Sequence, residues 1–282
     1  MNVTDTETTP DQLHVDVEAT LRSRLPKKYS RFIPDFAVRW LERTICQDEL
    51  NGILDRTRGK KGAEFCNAVL EDLGITYSVN GDTNLPVSGR AVFVSNHPLG
   101  ALDGIAMIDF IAKRYGSDVK FVVNDILMAV KPLDNVFLPV NKHGKQSRLS
   151  SSGIDTCLAG DSPVIIFPAG LVSRKQKEGI KDLNWQKMFI NKAIQSQRDI
   201  IPIHFGGRNS SFFYNFAKLR TKLRLKFNIE MIYLPREIFR SRGARFDITV
   251  GKPIQWQSLA GGAKAAAEAS RIKEIVYRLK QE

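Results

Sequence analysis

The chain reads AVFVSNHPLGALDG from Ala91 to Gly104. Its first part is an uninterrupted apolar run, which is typical of a strand that is buried on both faces of a sheet. His97 follows at the exit of that strand, and Asp103 comes shortly after it, where we expect a helix to begin. A histidine in this position can take up a proton while a nearby carboxylate stabilises the imidazolium. His97 and Asp103 are therefore a candidate catalytic dyad.

Each member of this dyad also has a simpler interpretation. An isolated histidine is more often structural than catalytic. Asp103 alone would serve as an N-cap of the helix that follows it, and this role is compatible with a catalytic one. Pro98 and Gly100 shape a tight exit from the strand, which holds the imidazole at the start of the helix. This context favours the catalytic interpretation.

Outward from this stretch, short apolar runs alternate with helical patterns. The alternation predicts an α/β domain with a mixed, largely parallel sheet flanked by helices. The predicted strands are Ala91–Ser95, Val119–Val123, Val136–Val140, Pro163–Phe167, Ile200–Phe205 and Phe246–Val250. The predicted helices are Gly104–Tyr115, Ser147–Leu158, Trp185–Gln195 and Ala263–Leu279, preceded by one over 65–73 that ends at Gly74.

The N-terminal part differs in composition from the rest. Residues 1–29 are polar and expected to be mobile, residues 30–85 are expected to form a helical extension, and residues 86–282 the main domain. From Ser30 a basic amphipathic helix is predicted, which either packs on its own domain or lies in a membrane interface. Its apolar residues are Phe32, Ile33, Phe36, Trp40, Leu41 and Ile45, and its basic residues are Arg31, Arg39 and Arg43.

Size and composition exclude several classes of protein. With 282 residues, of which 43% are hydrophobic, the chain is long enough for one large folded domain. No apolar run approaches the roughly 18 residues that a spanning helix needs, and the polar N-terminus lacks signal-peptide character. Three widely spaced cysteines fit reduced thiols better than a disulfide framework or a zinc site. We expect a cytosolic protein or one that is peripheral to a membrane.

The formal net charge of +12 predicts an anionic partner. Between Arg208 and Arg245, ten basic residues stand against two acidic ones. This segment is interpreted as a solvated surface, as a membrane-binding surface or, with the aromatic residues at 212–214, as a nucleic-acid-binding one. The membrane is preferred to nucleic acid, because a membrane surface explains the basic charge equally well.

Two further loops follow predicted strands and are expected to converge with residues 96–104 on one cleft. The loop 141–148 is basic, and its Lys142 and Arg148 are candidates for binding an anionic head group. The loop 168–174 ends in Arg174, whose guanidinium suits a phosphate or a carboxylate. The sequence supplies no third metal ligand beside the dyad and no Gly-x-Ser-x-Gly motif. A metal hydrolase and a covalent serine mechanism are therefore disfavoured.

The order of the motifs resembles a known family. Residues 96–104 (Asn-His-Pro-Leu-Gly-Ala-Leu-Asp-Gly) are followed by Phe-Pro-Ala-Gly at 167–170 and Ile-Pro-Ile at 201–203, and the blocks at 209–214, 234–239 and 248–254 are similar as well. From about Pro34 onward, the chain resembles the phospholipid/glycerol acyltransferase superfamily, in particular its bacterial hemolysin-like lysophospholipid acyltransferase branch. The resemblance implies a glycerol-3-phosphate acyltransferase-like α/β fold.

The resemblance also implies an activity, the transfer of a fatty acyl group from acyl-CoA or acyl carrier protein to a lipid hydroxyl, without a further cofactor. His97 would be the general base, and Asp103 would orient it and stabilise its charge. Backbone amides near Gly170 would stabilise the tetrahedral oxyanion. The residues implied or proposed to bind substrate are Asn96, Gly100, Lys142, Arg148, Phe167, Pro168, Gly170, Ser173 and Arg174.

Departures from the family pattern bear on the acceptor. Five residues separate His97 from Asp103 where the common motif has four, a spacing that appears in the hemolysin-like branch. Ala169 and Val172 stand where the Phe-Pro-Glu-Gly-Thr-Arg block has its glutamate and arginine, and residues 136–141 replace an arginine-bearing block. We therefore expect an acceptor that presents a carboxylate, a lyso-ornithine or lyso-glycine lipid. Lysophosphatidic acid is the alternative.

The expected setting is the cytoplasmic face of the bacterial inner membrane, with the protein bound peripherally. Its expected partners are the membrane surface, the lyso-lipid acceptor and an acidic acyl carrier protein. Two alternatives lie outside this enzyme class. A lipid-binding relative that has lost activity would bind vesicles without turnover, and a nucleic-acid-binding module would bind with a steep dependence on salt.

Overall fold

Helices and strands alternate along most of the computed structural model, which describes residues 14–24, 34–140, 146–225 and 227–281. The α-helices in these ranges are α1 (Val17–Arg24), α2 (Asp35–Thr44), α3 (Gln47–Arg56), α4 (Gly62–Asp72), α5 (Leu102–Tyr115), α6 (Gln146–Ala159), α7 (Met188–Ser196), α8 (Ser211–Lys222), α9 (Leu234–Arg240) and α10 (Ala265–Arg278). The strands are β1 (Thr76–Asn80), β2 (Val92–Ser95), β3 (Lys120–Asn124), β4 (Phe137–Val140), β5 (Val164–Ile166), β6 (Arg174–Gln176), β7 (Gly179–Lys181), β8 (Ile200–Phe205) and β9 (Arg245–Val250).

One mixed sheet organises the described part of the chain. Its seven strands lie in the order β1-β9-β8-β2-β5-β3-β4. Strands β8, β2, β5, β3 and β4 are mutually parallel, whereas β9 is antiparallel to β8 and parallel to β1. Strands β6 and β7 form a separate antiparallel pair. The prediction of a largely parallel sheet flanked by helices is confirmed.

The central strand β2 faces a hydrophobic core on each side. Phe93 lies in one core with Ile108 of α5, whereas Val92 and Val94 lie in the other core with Phe189 of α7. All of these side chains are buried. Because successive residues of a strand point to opposite faces, a strand covered on both faces is apolar at every position. This explains the uninterrupted apolar run that precedes the candidate dyad.

The structure corrects the sequence-based description at its N-terminal end. Strand β1 falls inside the predicted helical extension, yet it pairs with β9 over Thr76–Asn80 and belongs to the main sheet. A domain boundary between residues 85 and 86 would therefore separate β1 from the other strands of its sheet. The reason is that β1 is an edge strand whose residues are exposed or only partly buried, so its apolar signal is weak. Helices α8 and α9 and the β6–β7 pair were also not predicted.

Helices α1 and α2 lie in the N-terminal part of the chain, for which the sequence predicts mobility and a basic amphipathic helix. Helix α1 lies within the segment predicted to be mobile, and the Val15 and Val17 amides donate to side chains of Asn51 and Gln47. Of the basic amphipathic helix predicted from Ser30, α2 is seen, whereas residues 30–33 lie outside the described residues. No helix in the described ranges has the length and apolar character needed to cross a membrane.

Candidate active site

His97 and Asp103 come together at the carboxyl end of β2. The loop after this strand turns back at Gly100, whose φ of 92° is a conformation that favours glycine. Helix α5 then starts at Leu102, so Asp103 lies in its first turn. Nδ1 of His97 is 2.9 Å from Oδ2 of Asp103. The local backbone thus brings two residues that are separated by a loop into direct contact.

Asp103 is completely buried, and the groups bonded to it are N–H donors. Besides His97 Nδ1, the amides of Leu99 and Gly104 each donate to its carboxylate at 2.9 Å, and the Gly100 amide does so at 3.3 Å. An acceptor in this position requires the proton of His97 to sit on Nδ1. Nε2 then keeps its lone pair. The side chain of His97 is 14% exposed.

The plane of the imidazole is fixed by aromatic packing. The rings of His97 and Phe167 lie with centroids 4.5 Å apart and planes 36° apart. Phe121 meets Phe167 edge-on at 5.1 Å. Phe167 follows β5, which neighbours β2 in the sheet, so the position of the ring is set by the parallel pairing of these strands. Phe167 therefore orients the candidate base by direct contact.

The backbone of His97 is held by a residue that sequence reasoning missed. Asp182 is completely buried, and one of its carboxylate oxygens accepts from the His97 amide at 3.2 Å and from the Ser173 hydroxyl at 2.5 Å. Its other oxygen accepts from the Trp185 indole at 2.9 Å. The Ser173 amide in turn donates to the His97 carbonyl at 2.7 Å. Asp182 stands in no motif, so nothing in the sequence marks it.

If the activity implied by the sequence motifs is present, replacing Asp182 by asparagine is expected to lower kcat roughly tenfold to hundredfold, with KM unchanged. The asparagine side chain has one oxygen, which accepts a hydrogen bond, and one NH2 group, which donates. Either the His97 amide or the Trp185 indole N–H therefore loses its acceptor. A displacement of the imidazole by about 1 Å accounts for a loss of this size. Steady-state kinetics measure both constants.

The control for this variant is Asp109→Asn, which alters another buried carboxylate. Asp109, in the middle of α5, accepts from Tyr77 of β1 and from Lys113 of α5. We expect this variant to lose unfolding free energy without loss of kcat. If Asp182→Asn behaves in the same way, Asp182 supports the fold and does not position His97.

Two of the proposed substrate-binding residues shape the loop. The Asn96 side chain is buried, donates to the Phe205 carbonyl at 2.9 Å and accepts from the Phe205 amide at 2.7 Å, so it joins β2 to β8 beyond their last paired residues. A Cβ at Gly100 would come within 2.9 Å of Leu234 and 3.1 Å of Val172. Both residues therefore hold the backbone around His97, and contact with substrate stays a prediction for them.

The turn after β5 places the next group of predicted residues beside the dyad. Pro168 is buried, whereas Gly170 is exposed and has a φ of 61°. The Gly170 amide donates to the Phe167 carbonyl at 3.0 Å, which closes the turn. Ser173 is buried, with its hydroxyl directed to Asp182. The loops 96–104 and 168–174 thus converge as predicted.

Arg174 points into an ion-pair cluster that was not predicted. Its guanidinium donates to Glu230 at 2.7 Å and to the Val172 carbonyl at 2.7 Å, and it lies over the Phe213 ring at 5.6 Å. Arg220 contacts the other oxygen of Glu230 at 2.8 Å. Burial lowers the pKa of Arg174, and the charge of Glu230 opposes this shift. The cluster contains two cations and one anion, so it keeps an excess of positive charge.

The remaining predicted residues belong to the basic loop. Lys142 lies outside the described residues. Arg148 is part of α6, but its side chain is not among those described. Within the described ranges, His, Cys, Asp and Glu side chains form no group of three or more that could hold a metal ion.

Comparisons with known proteins show what this chain is similar to. The model of an acyltransferase family matches residues 21–282. The chain is 44% identical to a lyso-glycine lipid O-acyltransferase of Bacteroides thetaiotaomicron over 94% of this chain and 97% of the relative. It is 43% identical to the enzyme of the same name from Phocaeicola vulgatus over 94% and 95%. The crystal structure of the 1-acyl-sn-glycerophosphate acyltransferase from Thermotoga maritima aligns with a TM-score of 0.48 at 14% identity, covering 86% of this chain and 96% of that one.

Proposed function

The chain belongs to the acyltransferase family, and we propose that it transfers a fatty acyl group from an acyl thioester to the hydroxyl of a lyso-glycine lipid. One observation carries the catalytic part of this proposal. Nδ1 of His97 is bonded to the buried carboxylate of Asp103, and this leaves Nε2 as a free base at the carboxyl end of the central strand. A base oriented by a carboxylate is what activation of a hydroxyl requires.

The proposed reaction has two steps that use the same nitrogen. As the hydroxyl oxygen attacks the thioester carbonyl carbon, Nε2 of His97 takes the hydroxyl proton and a tetrahedral oxyanion forms. The intermediate then collapses, the C–S bond breaks, and the imidazolium returns the proton to the leaving thiolate. The Asp103 carboxylate stabilises the imidazolium between these steps, because it lies 2.9 Å from Nδ1.

The oxyanion needs donors, and we propose that they come from the turn around Gly170. Backbone amides beside a glycine with positive φ are suited to this role. The Gly170 amide itself is used by Phe167 in the turn. Its participation would therefore require this hydrogen bond to be exchanged when the intermediate forms.

The choice of acceptor rests on the relatives and on charge. Two curated relatives above 40% identity are named lyso-glycine lipid O-acyltransferases. Such an acceptor, an N-(3-hydroxyacyl)glycine, carries a free hydroxyl and a carboxylate but no phosphate. The excess positive charge of the cluster formed by Arg174, Arg220 and Glu230 favours a carboxylate near the dyad. Lys142 and Arg148 remain candidates for the same contact.

The proposed setting is the cytoplasmic face of the inner membrane, with acyl-CoA or acyl carrier protein as donor and no other cofactor. Helix α2 supports association with a membrane, because Phe36 is 71% exposed and Trp40 is 53% exposed, one turn apart. Arg39 and Arg43 are exposed on the same helix. Aromatic and basic residues together are typical of interfacial helices.

The test is ester formation by the purified protein with acyl-CoA and acyl carrier protein donors. The acceptors are N-(3-hydroxyacyl)glycine, its ornithine counterpart and lysophosphatidic acid, and the control is an N-acylglycine without the hydroxyl. We expect ester with the glycine acceptor and none with the control. Preference for lysophosphatidic acid would replace the proposal by phospholipid synthesis. Vesicle binding without turnover on any acceptor would replace it by a non-catalytic lipid-binding role.

A further inference from the structure

Helix α8 carries an exposed apolar stripe that the proposed reaction does not use. Residues at i, i+4, i+7 and i+11 lie on one face of a helix, and in α8 and the residue after it these positions are occupied by apolar side chains. They are Phe212, Phe216, Leu219 and Leu223. Leu223 is 60% exposed, and the stripe continues to Phe227, which is 82% exposed. Phe216 is partly buried, and the exposed side chains are Phe212, Leu219, Leu223, Leu225 and Phe227. Five large exposed apolar side chains so close together are uncommon on a surface that meets only water.

The stripe is rigid at its N-terminal end. Phe212 and Phe216 are stacked with centroids 5.8 Å apart, and Tyr233 meets their rings edge-on at 4.9 Å and 5.3 Å. The aromatic residues thus form a fixed block rather than independent side chains. Such a block loses little conformational entropy when it is covered.

The opposite face of α8 packs on the catalytic loop. Phe213 and Tyr214 are buried in a cluster with Val172, and the Tyr214 hydroxyl lies 3.5 Å from the Pro98 carbonyl. Pro98 directly follows His97. One helix therefore connects the exposed apolar stripe with the loop that carries the candidate base.

Positive charge lies beside the stripe. The sequence from Ser211 to Asn228 contains no acidic residue. Lys218, Lys222 and Arg224 are exposed, whereas Arg220 turns back to Glu230. Apolar side chains suit the acyl region of a bilayer, and basic side chains without acidic neighbours in the sequence suit its anionic head groups. The two kinds of residue together therefore fit an anionic bilayer surface.

From these contacts we infer that α8, residues 223–225 and Phe227 form the surface by which the protein docks on an anionic lipid bilayer. This surface then lies beside the loop that carries His97, and a lipid acceptor reaches the base from the bilayer. The inference rests on the proposed function only in requiring that the acceptor is a lipid. It assigns membrane contact to a surface distinct from that of α2.

Leu223→Glu tests the apolar part, with Val87→Glu as its matched control. Val87 is 98% exposed and precedes β2, so it lies at the end of the sheet opposite to His97. Sedimentation of the full chain with vesicles of phosphatidylglycerol and phosphatidylcholine measures binding. We expect Leu223→Glu to bind about tenfold more weakly than the parent and Val87→Glu to bind as the parent does. Equal binding by Leu223→Glu and Val87→Glu would overturn the inference.

Lys222→Glu tests the electrostatic part, with Lys252→Glu as its control. Lys252 is exposed and follows β9, again at the opposite end of the sheet. Lys222→Glu should weaken binding to vesicles that contain phosphatidylglycerol and leave binding to pure phosphatidylcholine unchanged. The same loss in Lys252→Glu would mean that net charge, and not this surface, attracts the bilayer.

Activity measurements separate this inference from the proposed function. With a short-chain, water-soluble N-(3-hydroxyacyl)glycine, Leu223→Glu should form ester at the parental rate, whereas with a vesicle-borne acceptor its rate should fall with binding. If the parent forms no ester with either the soluble or the vesicle-borne acceptor, the proposed function fails, while the vesicle-binding experiment still tests the docking surface.

Two other results would overturn the docking surface. One is a dimer that becomes monomeric in Leu223→Glu with vesicle binding unchanged, and the other is a loss of carrier-protein-dependent turnover in Lys222→Glu on the soluble acceptor.

Discussion

Replacing His97 by alanine is expected to lower the rate of acyl transfer by about 10³-fold, which is the usual contribution of a positioned general base. Nδ1 of His97 is bonded to Asp103, so in the proposed mechanism the proton of the attacking hydroxyl goes to Nε2. Without this nitrogen the hydroxyl attacks as a neutral alcohol, a weak nucleophile. The measurement is the rate of ester formation at saturating thioester and acceptor.

The matched control for this prediction is His14→Ala. The His14 ring is exposed, and its Nε2 lies 3.4 Å from Nδ2 of Asn51. The free energy of unfolding of His97→Ala should stay within about 2 kcal/mol of the parent, because Asp103 loses His97 but keeps three backbone N–H donors, and the other loss is the contact with Phe167. A folded His97→Ala variant with the parental rate would exclude His97 as the base.

Local pattern explains why much of the sheet could be predicted. Strand β8 was predicted with both ends correct, since all six of its residues are buried and the apolar run coincides with the strand. Strand β1 was missed, since its residues are half-exposed and its partner β9 comes near the end of the chain. A hydrophobic pattern detects burial, and an edge strand has little of it.

The candidate dyad could be predicted for a related reason, because His97 and Asp103 lie in one short loop and their contact depends on local backbone. The surroundings of the dyad depend on distant contacts. In the sequence Arg174 looks like a free cation, but Glu230, 56 residues later, binds it. Asp182 holds the His97 amide from 85 residues away. Such contacts leave no local pattern, so only the fold reveals them.

The exposed apolar stripe on α8 could not be predicted from the sequence for a different reason. The basic character of the segment after Arg208 was recognised, but its apolar residues were not assigned to a face. Buried Phe213, Tyr214 and Ala217 alternate with the exposed stripe, so the helix looks apolar on most sides. Which of two apolar faces packs on the domain cannot be read from periodicity.

Replacing Asp103 by asparagine is expected to lower the rate of acyl transfer by between about 10² and 10⁴-fold. If the amide oxygen faces His97, the negative charge that stabilises the imidazolium is lost. If the amide nitrogen faces His97, Nδ1 must become an acceptor, and Nε2 then carries the proton and cannot act as a base. The variant should also lose about 1–3 kcal/mol of unfolding free energy, because the buried amide of Leu99 or Gly104 then faces an NH2 group.

The double variant His97→Ala/Asp103→Asn shows whether Asp103 acts through the histidine. Groups that act as a unit are not additive, so the double variant should be no slower than His97→Ala alone, within about twofold. The alternative is that Asp103 only closes the loop, as its bonds to the Leu99 and Gly100 amides allow. In that case loop distortion would reduce the residual rate of His97→Ala further, and the losses would multiply. The measurement is the rate of ester formation by the parent, the two single variants and the double variant. A double variant whose loss of rate equals the product of the two single losses would refute the dyad.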